Sequence, residues 1–171
     1  MTVAALVQVA SVLSATTTEE VEMTGKADFS EDEWKQILEG PPSAALIVIG
    51  SDPGGSIRES FSMAKAYAEA RQQHGASQLL DDIVSAKPEV DKTRFKTREE
   101  LKEHGLQNIR DANAILESKA SPEEVEEYKR FISTVADRVA NARKEGFLGL
   151  SGERVSEDEQ AALEEIKSVL A

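Results

Sequence analysis

From Phe29 onward, apolar residues recur at spacings of three and four, the period of a helix that turns one face to a core. The clearest run lies between Ser121 and Ala142, where Val125, Tyr128, Ile132, Val135, Val139 and Ala142 form a seam suited to packing on another helix. Leu106, Ile109, Ala112 and Leu116 make a second stripe, with Leu101 and Ile115 beside it. Leu79, Leu80, Ile83 and Val84 make a third, ended by Pro88, and Leu163, Ile166, Val169 and Leu170 a fourth. Ile57, Phe61, Ala64 and Ala68 predict the inward face of a further helix, with Gly75 as its stop.

Helix starts are marked by Ser/Thr-x-x-Glu. In this capping box the hydroxyl accepts the third residue's N–H, while the Glu reaches back to the cap's own N–H. The pattern precedes an apolar run at Ser30, Ser56, Thr97, Ser121 and Ser156. Ser77 is a simpler cap, Pro122 stands at a first helical position, and Phe29 with Trp34 has the spacing of a hydrophobic staple. Acidic residues at 123, 124, 126 and 127, with Arg143 and Lys144 at the far end, complement the dipole of the helix between them.

The first helix is expected over 31–39, stopped by Gly40-Pro41-Pro42. The apolar run Ala44 to Ile49 suits either a short buried helix or a buried strand, and periodicity does not separate the two. Gly105 should weaken its helix by about 1 kcal/mol relative to alanine. Residues 1–28, rich in Val, Ala and Thr, read as an extension that is docked or mobile. The expectation is an all-α domain over 29–171, an irregular bundle of six or seven helices with a strand at 44–49 as the dissenting possibility.

Charge and composition narrow the function. The 171 residues carry a net charge of -12, which repels phosphate backbones, so nucleic acid is not an expected partner. The absence of cysteine removes disulfides, thiolate metal sites and cysteine nucleophiles. The apolar stretch 2–15 falls roughly 6 residues short of the about 20 needed to span a bilayer. No Lys or Arg precedes that stretch, although Leu13-Ser14-Ala15 would tolerate cleavage, so a cytoplasmic location is expected over export.

Candidate chemistry is sparse. Ile49 to Ser56 runs from an apolar segment through a glycine turn into a helix start, an order that can cradle an anion. A phosphate loop needs Lys before the Ser; here Gly55 stands there, and Asp52 lies within the loop. The segment reads as a helix–helix corner, with Ser56, Arg58 and His74 as polar groups of an alternative interhelical pocket. Neither His74 nor His104 follows a Glu by three residues, as a dimetal bundle requires, and Glu100 and His104 read as a solvated face. Calcium-loop and nucleophile-elbow patterns are missing. No catalytic residue, metal or cofactor is therefore expected.

Two features favour a protein partner. Lys87, Lys92, Arg94, Lys96 and Arg98 stand against Glu89 and Asp91, a basic island in an acidic chain, with Phe95 inside it. Phe147, Leu148 and Leu150 sit in a glycine-spaced loop that either folds onto the preceding helix or offers a binding surface. Tyr128-Lys129, the run Val139 to Gly149 and Arg154-Val155-Ser156-Glu157, all within 126–171, make the chain similar to small uncharacterised all-helical bacterial proteins. Phe29 to Leu38 is similar too, and the resemblance implies an all-helical fold with no activity to carry over. The expected function is a non-enzymatic protein-interaction or accessory module, contacting a partner through Phe95, Phe147, Leu148 and Leu150, with homo-oligomers left open. The alternative is a small-ligand or anion-binding protein, or an enzyme, using a pocket near 51–58.

Overall fold

The computed structural model describes residues 23–51, 57–73, 77–88, 95–142 and 155–171. Among the described residues, after a 3-10 turn, Lys26–Asp28, come six helices: α1 (Glu31–Ser51), α2 (Ile57–Gln72), α3 (Gln78–Ser85), α4 (Arg98–Lys119), α5 (Pro122–Asn141) and α6 (Glu157–Leu170). No strand occurs among the described residues, and 44–49 is helical. The fold is an all-α bundle around α1, which packs on α2, α4, α5 and α6.

The expected stop at Gly40-Pro41-Pro42 is incorrect, because α1 runs unbroken through both prolines. Pro41 and Pro42 have no N–H to give the carbonyls of Ile37 and Leu38, a loss that ordinarily breaks a helix. The hydroxyl of Tyr128 in α5 donates to the Ile37 carbonyl at 2.7 Å in a buried position, replacing the bond Pro41 cannot make. Gly40 makes room for it, since a Cβ there would stand 2.0 Å from Tyr128 Oη and 3.1 Å from Cζ. Burial, with a smaller contribution from Tyr67, pushes the Tyr128 phenol well above its ordinary range, so it stays a neutral donor. Every residue from 40 to 49 is buried, as expected of a helix apolar on all sides at the centre of a bundle.

The seam of α5 is buried at every predicted position, as are Leu106, Ile109, Ala112 and Leu116 of α4. The predicted face of α2 needs correction: Ala64 and Ala68 are exposed, while Met63, Ala66 and Tyr67 are buried. The Tyr67 ring meets Phe131 edge-on at 5.0 Å between centroids. Such a pair buries far more apolar area than two alanine methyls, so it sets the rotation of the helix. The side chains of Ile57 and Phe61 lie outside the described residues.

The caps form as predicted at Ser30, Ser121 and Ser156, where each hydroxyl accepts from the third residue's N–H at 3.2–3.3 Å and each Glu accepts in return at 2.8–2.9 Å. At Thr97 the hydroxyl accepts from Glu100 N–H at 3.0 Å, but the Glu100 carboxylate takes the N–H of Lys96. Ser77 caps α3; Ser56, Arg143 and Lys144 lie outside the described residues. Glu124 does more than cap α5, because its second oxygen accepts the N–H of Thr24 at 2.9 Å in a buried site. Lys26 N–H donates to Asp82 Oδ2 at 2.9 Å, so 24–26 is tied to both α3 and α5.

Candidate functional site

Where α1 crosses α4, Gly105 lets the two backbones approach. A Cβ at 105 would lie 2.9 Å from Ile47 side-chain atoms, which explains a glycine in mid-helix. Beside this crossing opens a cavity of about 380 Å³. Its α1 wall is one helical face, Lys35, Leu38, Glu39, Pro42, Ser43 and Leu46, at alternating spacings of three and one. Leu101, His104, Gly105 and Asn108 repeat that spacing from α4. Lys87, beyond α3, and Phe95, ahead of α4, complete the lining.

The lining is graded. Pro42, Ser43, Leu46 and Gly105 are buried and form the floor, Leu38, Phe95 and Leu101 are half-buried walls, and Lys35, Lys87 and His104 are exposed at the rim. Asn108 joins the two helices: its Nδ2 donates to Ser43 Oγ at 3.2 Å and lies 3.4 Å from Glu39 Oε2. Gln36 Nε2 in turn donates to the Asn108 carbonyl and Oδ1 at 3.4 Å. The ring of Phe95 tilts against His104, with centroids 5.2 Å apart. This arrangement can hold a molecule with an apolar body on the floor and polar groups at the mouth.

Two smaller cavities differ in charge. One, about 280 Å³ between α1, α4 and α6, sets Arg98 and Lys102 against Glu99, Asp158 and Glu165. Another, about 290 Å³ between α2, α3 and α5, sets Arg130 and Arg138 against Glu69, Asp81 and Glu127. In each, carboxylates outnumber basic groups, and Lys102–Glu165 (3.0 Å) and Arg138–Glu69 already pair.

Of the residues singled out from sequence, Phe95 lies on the cavity wall, in contact with the His104 that the sequence pairs with Glu100. Ser56, His74, Phe147, Leu148 and Leu150 lie outside the described residues. Arg58 is in α2, but its side chain is outside them as well, so the pocket near 51–58 is not described. Sequence reasoning missed Lys35, Ser43 and Asn108. The available signal was a polar residue beside an apolar run: Ser43 next to Ala44 and Asn108 next to Ile109.

Among the described residues no three His, Asp or Glu side chains gather as a metal site would need, and no helix is long and apolar enough to cross a membrane. Comparison with known protein families, with curated proteins and with solved structures finds no match for this chain.

Proposed function

We propose that this chain is a non-enzymatic binding module that holds a small molecule in the cavity between α1 and α4. The observation that carries the reading is the graded lining, with a buried floor beneath polar groups gathered from three segments of the chain and an aromatic wall from a fourth. Its volume, about 380 Å³, falls near the lower end of the ~300–1,000 Å³ typical of ligand pockets, the size of a metabolite rather than a polypeptide. Binding rather than catalysis is supported by how the reactive side chains are engaged. Ser43 Oγ accepts from Asn108, and the His104 ring rests on Phe95.

Phe95, which the sequence offers as a partner contact, is half-buried here and suits a cavity wall. Met23 is the one large hydrophobic that is exposed rather than buried or half-buried among the described residues, so the described helices offer little apolar surface to a protein partner. The acidic surface also disfavours nucleic acid, in keeping with a soluble, cytoplasmic carrier or sensor of a small ligand.

The test is a fragment screen observed through backbone amide NMR shifts. Binding fragments should perturb 35–46 and 101–108, and Asn108→Trp, which places an indole in the cavity, should abolish those shifts while leaving the helical spectrum intact. Shifts centred on either smaller cavity, or shifts that survive the tryptophan, would overturn the proposal.

A further inference from the structure

Resting on that reading, we infer that the cavity selects a monoanionic organic acid, with its carboxylate between Lys35 and Lys87 and an apolar or aromatic body between Phe95, Leu38 and Leu46. Charge balance is the first reason. Of the three described cavities this is the one where basic groups outnumber acidic ones: two lysines and a histidine against Glu39 alone. It does so in a chain whose net charge is -12.

The second reason is availability. Lys35 and Lys87 make no ion pair among the described residues, whereas Lys102, Lys119, Lys129 and Arg138 all do. Glu39, the one carboxylate in the lining, is already approached by Asn108 Nδ2 at 3.4 Å. With Glu39 offsetting one lysine, the lysine pair retains about one positive charge, which a single negative charge neutralises.

The third reason is the floor. Pro42 and Leu46 are buried and apolar, and Phe95 with His104 supplies a ring surface on which a flat body can rest. An inorganic anion would leave this surface uncovered, and a fully apolar ligand would leave the lysines unused. The chain's overall negative charge opposes an approaching anion. Screening limits this beyond roughly 8 Å at physiological ionic strength, so the lysines at the mouth decide the local potential.

Four probes isolate these contributions: phenylacetate, its neutral amide phenylacetamide, the cation phenethylamine, and acetate, which has the charge without the body. Binding is read by amide shifts on the full chain at low salt. Phenylacetate should bind about tenfold more tightly than phenylacetamide, as expected for one charge meeting two exposed lysines, with acetate and phenethylamine weaker still. In the double variant Lys35→Gln, Lys87→Gln, whose side chains are exposed and whose fold is checked by circular dichroism, the preference for acid over amide should fall to about twofold or less. If amide or amine binds in the cavity as well as the acid, or if the preference survives the double variant, the anion inference fails while the binding module stands. If none of the four perturbs 35–46 or 101–108, the inference fails and the binding reading loses its simplest ligands.

Discussion

The two sides of α1 answer the same defect differently. Consecutive prolines deprive consecutive carbonyls, Ile37 and Leu38, which project about 100° apart around a helix of 3.6 residues per turn. Towards α5 the Ile37 carbonyl receives the Tyr128 hydroxyl, Gly40 leaves a notch of matching shape, and Ile37, Tyr128 and Ile132 are all at most 1% exposed. Towards α4, Leu38 and Pro42 border an open cavity with charged groups at its mouth. A break in helical bonding can thus be closed by a distant side chain or set beside a space that a ligand can enter. The closed side carries stability, and the open side carries the binding proposed above.

The sharpest way to break the comparison is to fill the notch. Gly40→Ala places a methyl 2.0 Å from Tyr128 Oη, so the tyrosine must withdraw and leave the Ile37 carbonyl buried without its donor. Overpacking and an unsatisfied acceptor together should cost about 3–5 kcal/mol, read as a lower urea midpoint. Tyr128→Phe alone should cost about 1–3 kcal/mol. The double variant should cost less than the sum of the two, because removing the hydroxyl gives the new methyl room. Additive losses would mean that notch and hydroxyl act separately.

This closed side was the least legible part of the fold. The caps and the stripes of α4 and α5 could be read directly because their determinants lie within a turn or two of one another. Continuity through Pro41 and Pro42 depends on a donor 91 residues further on, so local rules give a stop. The rotation of α2 failed similarly: alanines lie on both faces, and the deciding partner of Tyr67 is Phe131 in α5. For the cavity, two of its lining residues, Lys87 and Phe95, were visible in sequence as members of the basic island. What hid the site was its assembly from separated segments, with Lys35 and Asn108 brought to Lys87 and Phe95 only by the crossing of α1 and α4.

Smaller changes sharpen the contrast. Asn108→Ala on the open side removes three long side-chain hydrogen bonds, those with Gln36, Glu39 and Ser43, from a half-buried, solvent-accessible cluster. It should cost about 1 kcal/mol or less, well below Gly40→Ala, since water can satisfy the groups left behind. A loss comparable to Gly40→Ala would mean that the α4 side is as closed as the α5 side.

The smallest effect lies at the N-terminal end of α1, off both sides. There Lys119 and the Ser30 cap pull the Glu33 carboxyl from its ordinary 4.5 down to about 2. A carboxyl lowered on folding stabilises the native state above its unfolded pKa and loses that contribution as pH falls towards its folded one. Glu33→Gln should therefore lower the urea midpoint slightly near neutral pH, with the difference from wild type shrinking below about 4.5 and vanishing near 2. A difference that does not change over that range would show that the ion pair with Lys119 is not its source.

Because the chain contains no cysteine, single introduced thiols can compare the two sides without background. Asn108→Cys places a thiol on the cavity wall, and Ile132→Cys places one behind Gly40 on the closed side. In the folded protein the first should react with a small thiol reagent at a rate independent of global stability, and phenylacetate should slow it. The second should react only as fast as the protein unfolds. Equal protection of both thiols would contradict the division of α1 into an open and a closed side, and a cavity thiol indifferent to phenylacetate would contradict the anion inference.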